Sequence, residues 1–292
     1  MKLAKIQLPQ GEIVPAVVQG EQVVPLELPL GSLSDLLEQV PVVPQVQRLL
    51  ESSPGALPLE QVRLLPPVDG QEIWAAGVTY RRSRTARMEE SEQGATFYDK
   101  VYTAPRPELF FKATARRAVG PGGPVRVRAD SHWSVPEPEL TLVVNSRGQL
   151  VGYTVGNDMS ARDIEGENPL YLPQAKVYSG SCAVGPWVLL AEAAPPPQQF
   201  TIRMTIRRGE ETVYDESIGV DQMARSLQNL IDYLFRDNDF PDGVLLMTGT
   251  GLVPPDHFTL RQGDVVRIEI DPVGVLENPV LGGPAEPSKP EV

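Results

Sequence analysis

Two glutamates separated by one residue are the first candidates for chemistry in this chain. Glu137 and Glu139 flank Pro138 just before the apolar run 141–144. At this spacing both side chains lie on the same face of a strand. Carboxylates held so close repel each other unless a cation or a proton lies between them, and all-oxygen ligands suit Mg2+, Ca2+ or Mn2+ rather than Zn2+. Taken alone, the spacing fits two solvated glutamates better, so further residues are needed to identify a site.

A third acidic residue follows the next predicted strand. This strand covers 150–157 and ends abruptly at Asp158, after which a polar loop runs from Ile164 to Lys176. Binding and catalytic groups cluster where a rigid element ends in a loop, because the element holds the loop in position. The ends of these two strands are therefore where the sequence places its candidate ligands.

The composition describes a globular protein and limits its partners. With 292 residues, 41% of them hydrophobic, the chain can bury the cores of one large domain and a smaller one. The 38 Asp and Glu outnumber the 26 Lys and Arg, and the net charge of −12 argues against nucleic acid or an anionic membrane as a partner. Cys182 is the only cysteine, and no apolar stretch suits a signal peptide or a membrane span. We therefore expect a cytoplasmic protein.

The segments that must position the acidic residues fall into two predicted domains and a tail. Residues 1–70 form a small N-terminal domain, with a β-meander at 3–8 and 13–27 and two short helices. The helices start near Ser32 or Ser34 and near Pro44, and a proline-rich linker follows at 54–70. Residues 71–280 form the catalytic domain, and 281–292 form a proline-rich tail.

Strands predominate within residues 71–280. Alternating apolar residues bounded by turn residues predict strands at 72–78, 125–128, 139–145, 150–157, 185–190, 201–207, 211–217 and 264–270. One helix is predicted from Asp221 to Leu234, and the charged, weakly helical stretch from Tyr80 to Lys100 suggests a mobile lid. The predicted class is a β-rich α+β fold.

A series of motifs in a fixed order gives the chain a specific resemblance. Glu-x-Glu at 137–139 is followed by Asp-x-Ser-x-Arg-Asp at 158–163, by a lysine at 176, and by Thr-Gly-Thr at 248–250. From Trp74 to about Pro279 the chain resembles the fumarylacetoacetate-hydrolase superfamily, whose members carry these motifs in this order.

This resemblance implies a fold and a cofactor. The expected fold is a mixed β-sandwich or β-roll with a small N-terminal α/β domain, assembled as a homodimer or homotetramer. Glu137, Glu139 and Asp158 would bind a divalent metal, with Mg2+ expected first and Mn2+ or Ca2+ as alternatives. Lys176 would lie beside the metal, and Thr250 would line the pocket.

One catalytic element of the superfamily is missing from the sequence. Hydrolase and decarboxylase members carry a short His-x-x-Glu element after the first main-domain strand, which supplies a base that activates water. Residues 79–88 contain no histidine at the corresponding place, and the two histidines of the chain are His132 and His257. The residues at 98–102, 106–114 and 165–176 instead resemble the dehydratase members, which remove water from a 2-keto-3-deoxy sugar acid.

The dehydratase resemblance implies roles for individual residues. A metal chelated by the carboxylate and 2-keto oxygen of the substrate would acidify the neighbouring CH2 by stabilising an enolate. Glu108 is the candidate acid or base, with an ion pair to Arg106 or Lys112 as the alternative. Lys176 would hold the substrate carboxylate or polarise its keto group, with a salt bridge to the metal-binding carboxylates as the alternative. The candidate substrate-binding residues are Tyr80, Arg84, Arg106, Tyr171, Gln174 and Thr250.

Three functions remain open from the sequence, all with a small 2-keto acid as the partner. The first is a Mg2+-dependent dehydratase that yields a dioxo acid. The second is an acylpyruvate hydrolase or oxaloacetate decarboxylase, which would cleave a C–C bond with a base outside the missing element. The third is an inactive protein that binds a keto acid as a sensor. The complete set of metal ligands favours an enzyme over a sensor.

Overall fold

Strands make up most of the structure, a computed structural model that describes residues 1–27, 31–80 and 100–282. The strands are β1 (Lys2–Gln7), β2 (Ile13–Gln19), β3 (Gln22–Pro25), β4 (Leu57–Pro58), β5 (Arg63–Leu65), β6 (Glu72–Gly77), β7 (Glu108–Thr114), β8 (Val125–Val127), β9 (Ser134–Val135), β10 (Pro138–Val144), β11 (Leu150–Asp158), β12 (Ser160–Ala161), β13 (Cys182–Leu190), β14 (Thr201–Arg208), β15 (Glu211–Gly219), β16 (Val244–Met247), β17 (Asp264–Asp271) and β18 (Gly274–Gly282). The helices with both ends described are α1 (Leu33–Leu37), α2 (Val42–Glu51), α3 (Arg162–Glu167), α4 (Leu172–Lys176) and α5 (Leu227–Leu234). The predicted β-rich α+β class is confirmed. Within these ranges, no helix has the length and apolar character needed to cross a membrane.

A large mixed sheet carries the acidic residues. Its strands run in the order β4-β3-β2-β1-β13-β11-β10-β16-β6-β7, and β5 also pairs with β1. β16 and β6 are parallel, whereas β10 is antiparallel to both of its neighbours, β11 and β16. β9 and β12 form a separate two-stranded pair. The acidic ends of β10 and β11 therefore belong to strands that are hydrogen-bonded on both sides.

A second sheet of five strands packs against the large one. Its strand order is β15-β14-β17-β18-β8. Leu142 of β10, Met204 of β14 and Ile268 of β17 belong to one buried cluster, which also includes Leu230 of α5. The two sheets thus enclose an apolar core between them, as expected of a β-sandwich.

The N-terminal residues extend the large sheet. β1 pairs with β13 through Leu3 and Val188. Helices α1 and α2 contribute to a second buried cluster, which also holds Val143 of β10 and Val188. The stretch predicted as a linker at 54–70 contains β4, β5 and a 3-10 turn at Leu59–Gln61, because short edge strands tolerate proline. The domain boundary at residue 70 stays a prediction.

The helix predicted from Asp221 begins later in the structure. Val220–Gln222 is a separate 3-10 turn, and α5 starts at Leu227. The Ser226 side chain accepts a hydrogen bond from the backbone N–H of Asn229 over 3.2 Å. A serine in this position satisfies a donor in the first helical turn, which explains where α5 begins.

Among the strands absent from the sequence prediction are β16 and β18. β16 is apolar and fully buried, so it lacks the alternation that identifies a half-buried strand. β18 runs to Gly282, and the Asn278 side chain donates to the carbonyls of Gly120 (2.9 Å) and Gly123 (2.8 Å). The predicted tail therefore overlaps the end of a strand, and its remaining residues, 283–292, lie outside the described part of the chain.

Leu142→Ala should destabilise the protein strongly. Leu142 is fully buried between the two sheets, and the substitution leaves a cavity. We expect the free energy of unfolding, measured by urea denaturation, to fall by about 2–5 kcal/mol. Leu170→Ala is the matched control because Leu170 is 83% exposed, and it should change the free energy by less than about 0.5 kcal/mol. Equal effects of the two substitutions would contradict the packing of the sheets.

Candidate active site

The pairing of β10 with β11 brings three carboxylates together. Glu139 lies opposite Gly156, and the N–H of Asp158 donates to the carbonyl of Glu137 over 2.9 Å. Glu137, Glu139 and Asp158 are each at most 4% exposed, and one carboxylate oxygen from each lies within 4.8 Å of the others. Side chains alternate along a strand, and the neighbouring Leu140 belongs to the apolar core. Glu139 therefore lies on the opposite face of the sheet from that core.

The Thr248-Gly249-Thr250 turn supplies a hydrogen-bond donor to this cluster. The N–H of Gly249 donates to Oε2 of Glu139 over 2.6 Å. Gly249 has a φ of +90°, which residues with side chains disfavour, and a Cβ there would overlap Oγ1 of Thr79. That hydroxyl donates to the carbonyl of Thr248 over 2.6 Å. A glycine at this position therefore lets the turn approach closely enough to bind Glu139.

Three buried cations contact the carboxylates. Nζ of Lys176 donates to Oε2 of Glu137 over 2.7 Å and to Oδ2 of Asp158 over 3.3 Å. Arg162 donates to the other oxygen of Glu137, Oε1, over 3.0 Å. Lys112 forms an ion pair with Asp158 and also donates to two backbone carbonyls, over 2.9 and 2.6 Å. Because each cation is at most 2% exposed, water screens these contacts weakly.

Lys112 and Arg162 are functional candidates that the sequence prediction missed. Lys112 enters that prediction only as an ion-pair partner for Glu108. It follows Glu108 and Phe110 at intervals of two along β7. Although the strand has a bulge at Lys112, the ammonium of this residue reaches Asp158 on the face where Glu108 and Phe110 line the cleft. Arg162 lies inside the Asp-x-Ser-x-Arg-Asp motif. These signals were present in the sequence, but only the fold places this face of β7 beside the end of β11.

Burial and mutual repulsion raise the pKa of Glu139. The largest cause is the removal of its carboxylate from water, followed by the negative charges of Asp158 and Glu137. Lys176 and the N–H of Gly249 act in the opposite direction without cancelling these effects. A divalent cation would offset the same repulsion, and three carboxylates form the oxygen-only set that a hard cation prefers. The residues present therefore fit a divalent metal.

A narrow cleft opens onto the carboxylates. Phe110 and Thr250 line it together with the charged cluster, and Nζ of Lys176 lies 5.8 Å from the centre of the Phe110 ring. The hydroxyl of Thr250 donates to the carbonyl of Leu252 over 3.2 Å. The cleft thus combines a charged end with an aromatic wall.

Two further carboxylates line the same cleft. Glu108 begins β7, is half-buried, and lies over Gly77 of β6, where a Cβ would overlap its Oε2. Glu165 of α3 is 4% exposed and accepts a hydrogen bond from Oγ of Ser160 over 2.7 Å. Glu108 is the acid or base of the sequence prediction, whereas Glu165 has no role in that prediction.

The other predicted substrate-binding residues lie in different places. Tyr80 is buried, whereas Tyr171 and Gln174 are exposed. None of the three is among the described residues that line the cleft. Arg106 is exposed, lies with its guanidinium 5.3 Å from the ring centre of Tyr233, and lines a neighbouring cavity. The prediction for Arg84, with most of the predicted lid, lies outside the described residues.

The described lining of the cleft contains no imidazole and no thiol. His132 and His257 are exposed. Burial raises the pKa of Cys182 to about 12, so its side chain stays a neutral thiol at physiological pH. The groups that could transfer a proton in the described cleft are therefore carboxylates and a lysine.

Comparison with known proteins points to one family. Residues 72–281 match the family model described as fumarylacetoacetate (FAA) hydrolase C-terminal. A probable 2-keto-3-deoxyxylonate dehydratase of Haloferax volcanii is 52% identical over 214 residues, 73% of each chain. A 2-dehydro-3-deoxy-D-arabinonate dehydratase of Saccharolobus solfataricus is 43% identical over 225 residues, 76% of each chain. A solved structure of 2-keto-3-deoxy-D-arabinonate dehydratase complexed with magnesium and 2,5-dioxopentanoate has a TM-score of 0.84 at 35% identity, covering 96% of this chain and 98% of that one.

Lys112→Met should destabilise the metal-free protein. The substitution removes a buried donor from Asp158 and from two backbone carbonyls, and breaking a buried ion pair in this way costs about 3–5 kcal/mol. Arg203→Met is the matched control, because it removes an arginine–aspartate pair whose side chains are 55% and 39% exposed, and this loss should be much smaller since water screens the pair. Urea denaturation in the presence of EDTA measures both losses. Equal losses of stability in the two variants would contradict a stabilising role of the buried pair between Lys112 and Asp158.

The affinity for a divalent cation should increase with pH. Because the pKa of Glu139 is raised, its protonated form persists above the usual range of a glutamate, and a cation must displace that proton. Mg2+ should therefore bind more weakly near about pH 5 than near about pH 8, with proton release in the lower part of this range. Calorimetric titration in buffers of different ionisation enthalpy measures affinity and proton release. Binding that is independent of pH would contradict this expectation.

Proposed function

The chain belongs to the fumarylacetoacetate hydrolase family, and on this premise we propose that it is a metal-dependent lyase that removes water from a 2-keto-3-deoxy sugar acid. The substrate is of the 2-keto-3-deoxy-D-arabinonate type, and the product is a dioxo acid. The proposal rests on the composition of the cleft. The three carboxylates that could bind a cation share it with two more, Glu108 and Glu165, and the described lining of the cleft contains no imidazole. This set suits proton transfer beside a bound cation.

The relatives support both the reaction and the cofactor. The two relatives at 52% and 43% identity bear dehydratase names. The magnesium and 2,5-dioxopentanoate in the similar solved structure support Mg2+ as the cofactor and 2,5-dioxopentanoate as the product. We assign Glu137, Glu139 and Asp158 as the metal ligands. Mn2+ or Ca2+ would suit the same oxygen atoms.

The side chains of the cleft supply the charge and the proton-transfer groups that dehydration requires. When bound, Mg2+ supplies positive charge beside the 2-keto acid, which makes the protons on carbon 3 more acidic. Lys176 and Arg162 provide fixed positive charge for the substrate carboxylate or its keto oxygen. Glu108 accepts or donates a proton within the cleft. The buried setting excludes bulk water, which favours elimination over hydrolysis.

Two of the predicted substrate-binding residues line the cleft or the cavity beside it. Thr250 lines the cleft, and Arg106 lines the neighbouring cavity. We propose that these two side chains contact the substrate. The roles of Tyr80, Tyr171, Gln174 and Arg84 stay predictions.

Cleavage of a C–C bond by hydrolysis is less well supported. The histidine-bearing element that activates water in hydrolase members is missing from residues 79–88. The two histidines of the chain, His132 and His257, are exposed and do not line the described cleft. Assembly as a homodimer or homotetramer and a cytoplasmic location stay predictions from the sequence.

The purified protein with Mg2+ should convert 2-keto-3-deoxy-D-arabinonate to 2,5-dioxopentanoate, followed by NMR, without releasing pyruvate. Removal of divalent metal with EDTA should abolish this activity, and Mg2+ should restore it. Glu137→Gln should lower kcat/KM by at least about 100-fold. Substitution of residues that only support metal ligands typically lowers metal affinity or activity by about 10–100-fold, and this substitution removes the charge of a ligand itself.

Glu211→Gln is the matched control for this experiment. Glu211 is exposed at the start of β15, outside the lining of the cleft, so the variant should keep wild-type activity. Release of pyruvate from acylpyruvates, or of CO2 from oxaloacetate, without dehydration of the sugar acid would contradict the proposal and favour C–C cleavage. Binding of keto acids with no turnover would favour a sensor.

A further inference from the structure

A second cavity adjoins the cleft, and two carboxylates line both. The second cavity is lined mainly by apolar residues, among them Leu109, Pro169 and Leu172. Among the described residues, Glu108 and Glu165 are the two that line the cleft and this cavity alike. A molecule that extends from the metal ligands into the second cavity must therefore pass both glutamates.

We propose that Glu165 is a second catalytic residue, which shares the proton transfers of dehydration with Glu108. The 2-keto acid end of the substrate lies at the metal ligands, and its distal carbons extend past Glu108 and Glu165 toward the second cavity. This inference rests on the proposed function, because it assigns the second acid or base that the same reaction requires.

The reaction requires proton transfers at several carbons. A proton leaves carbon 3 for one carboxylate, and the electron pair of that C–H bond forms a double bond between carbons 3 and 4. The C–O bond at carbon 4 breaks, and the hydroxyl leaves as water with a proton from the other carboxyl group. One proton is then lost from carbon 5 and one from its hydroxyl, while carbons 3 and 4 each regain one. Carbon 5 is oxidised as carbon 4 is reduced, so no external oxidant or reductant takes part.

The setting of Glu165 supports this role. Its carboxylate is 4% exposed, and burial of an acidic group is costly unless the structure or the function requires it. The hydroxyl of Ser160 donates to its Oε2 over 2.7 Å, which holds the carboxylate in one orientation. Ser160 follows the metal ligand Asp158 by two residues, so the strand end that carries a ligand also positions Glu165.

The first test is kinetic. Glu165→Gln keeps the size of the side chain and can accept the hydrogen bond from Ser160, but it cannot accept or donate the catalytic proton. It should lower kcat for dehydration of 2-keto-3-deoxy-D-arabinonate by at least about 100-fold with little change in KM. Glu167→Gln, an exposed glutamate at the end of the same helix, is the matched control and should keep wild-type kcat. Both variants should bind Mg2+ with wild-type affinity by calorimetry.

The second test separates the two glutamates by deuterium exchange. 2-Oxobutanoate has a keto acid and protons on carbon 3 but no hydroxyl to eliminate. With Mg2+ in D2O, the wild-type protein should exchange these protons, as seen by loss of their NMR signal. Glu108→Gln and Glu165→Gln should both lose dehydration, but only one of them should lose this exchange, because exchange requires the base at carbon 3 alone.

Several outcomes would overturn the inference. Dehydration by Glu165→Gln at close to wild-type kcat would do so, as would loss of the exchange in both variants or in neither. A third such outcome is that Glu165→Gln loses Mg2+ affinity or thermal stability to an extent that accounts for its loss of activity. Glu165 would then have a structural role, and the inference would be overturned. If the wild-type protein does not dehydrate the substrate, the proposed function and the inference fail together, whereas failure of the inference alone leaves an active wild-type protein.

Discussion

The repulsion among three buried carboxylates is the constraint on which the rest of the structure depends. Water cannot screen Glu137, Glu139 and Asp158, because none is more than 4% exposed. Part of this repulsion is offset by direct contacts with three cationic side chains, those of Lys112, Arg162 and Lys176. Burial, followed by the negative charges of Asp158 and Glu137, nevertheless raises the pKa of Glu139. The cluster thus retains an unfavourable charge density, which a divalent cation would relieve, and this is the physical basis for a metal site here.

The apolar core of the sandwich holds these charges in register. Leu140 and Leu142 of β10 pack between the two sheets, while Glu139 lies on the opposite face of the same strand. A shift of β10 by one residue would exchange these faces, placing carboxylates in the core, so the packing also fixes the register of the acidic residues. Hydrogen bonds to β11 and β16 on either side reinforce that register. The apolar core and the candidate metal ligand Glu139 therefore lie on opposite faces of the same strand, β10.

The cleft gives this family member a distinctive chemical character. Carboxylates and a lysine, rather than an imidazole, are the groups in its described lining that could move protons. Glu108 and Glu165 occur where the polar cleft joins an apolar cavity. In the proposed reaction the charged end of the substrate lies beside the cations of the cleft, and the hydroxyl-bearing carbons 4 and 5 lie beside Glu108 and Glu165.

Local patterns in the sequence determined the class of fold, the Glu-x-Glu pair and the acidic strand end at Asp158. Alternation and motif order are properties of neighbouring residues, so they can be read without the fold. Most strands of residues 71–280 were predicted for the same reason, whereas fully buried β16 lacked alternation, and the start of α5 depended on the side chain of Ser226. The sequence could thus predict that residues near a strand end are ligands. It could not predict which side chains surround them.

Only the tertiary structure decided which distant groups complete the site. Lys112 reaches the carbonyl of Met159, 47 residues along the chain, as well as the carboxylate of Asp158. Helix α3 brings the carboxylate of Glu165 to the cleft that Glu108 of β7 also lines. The spacing of residues along a strand determines the face on which a side chain lies, whereas the pairing and packing of distant segments determine which groups it meets there.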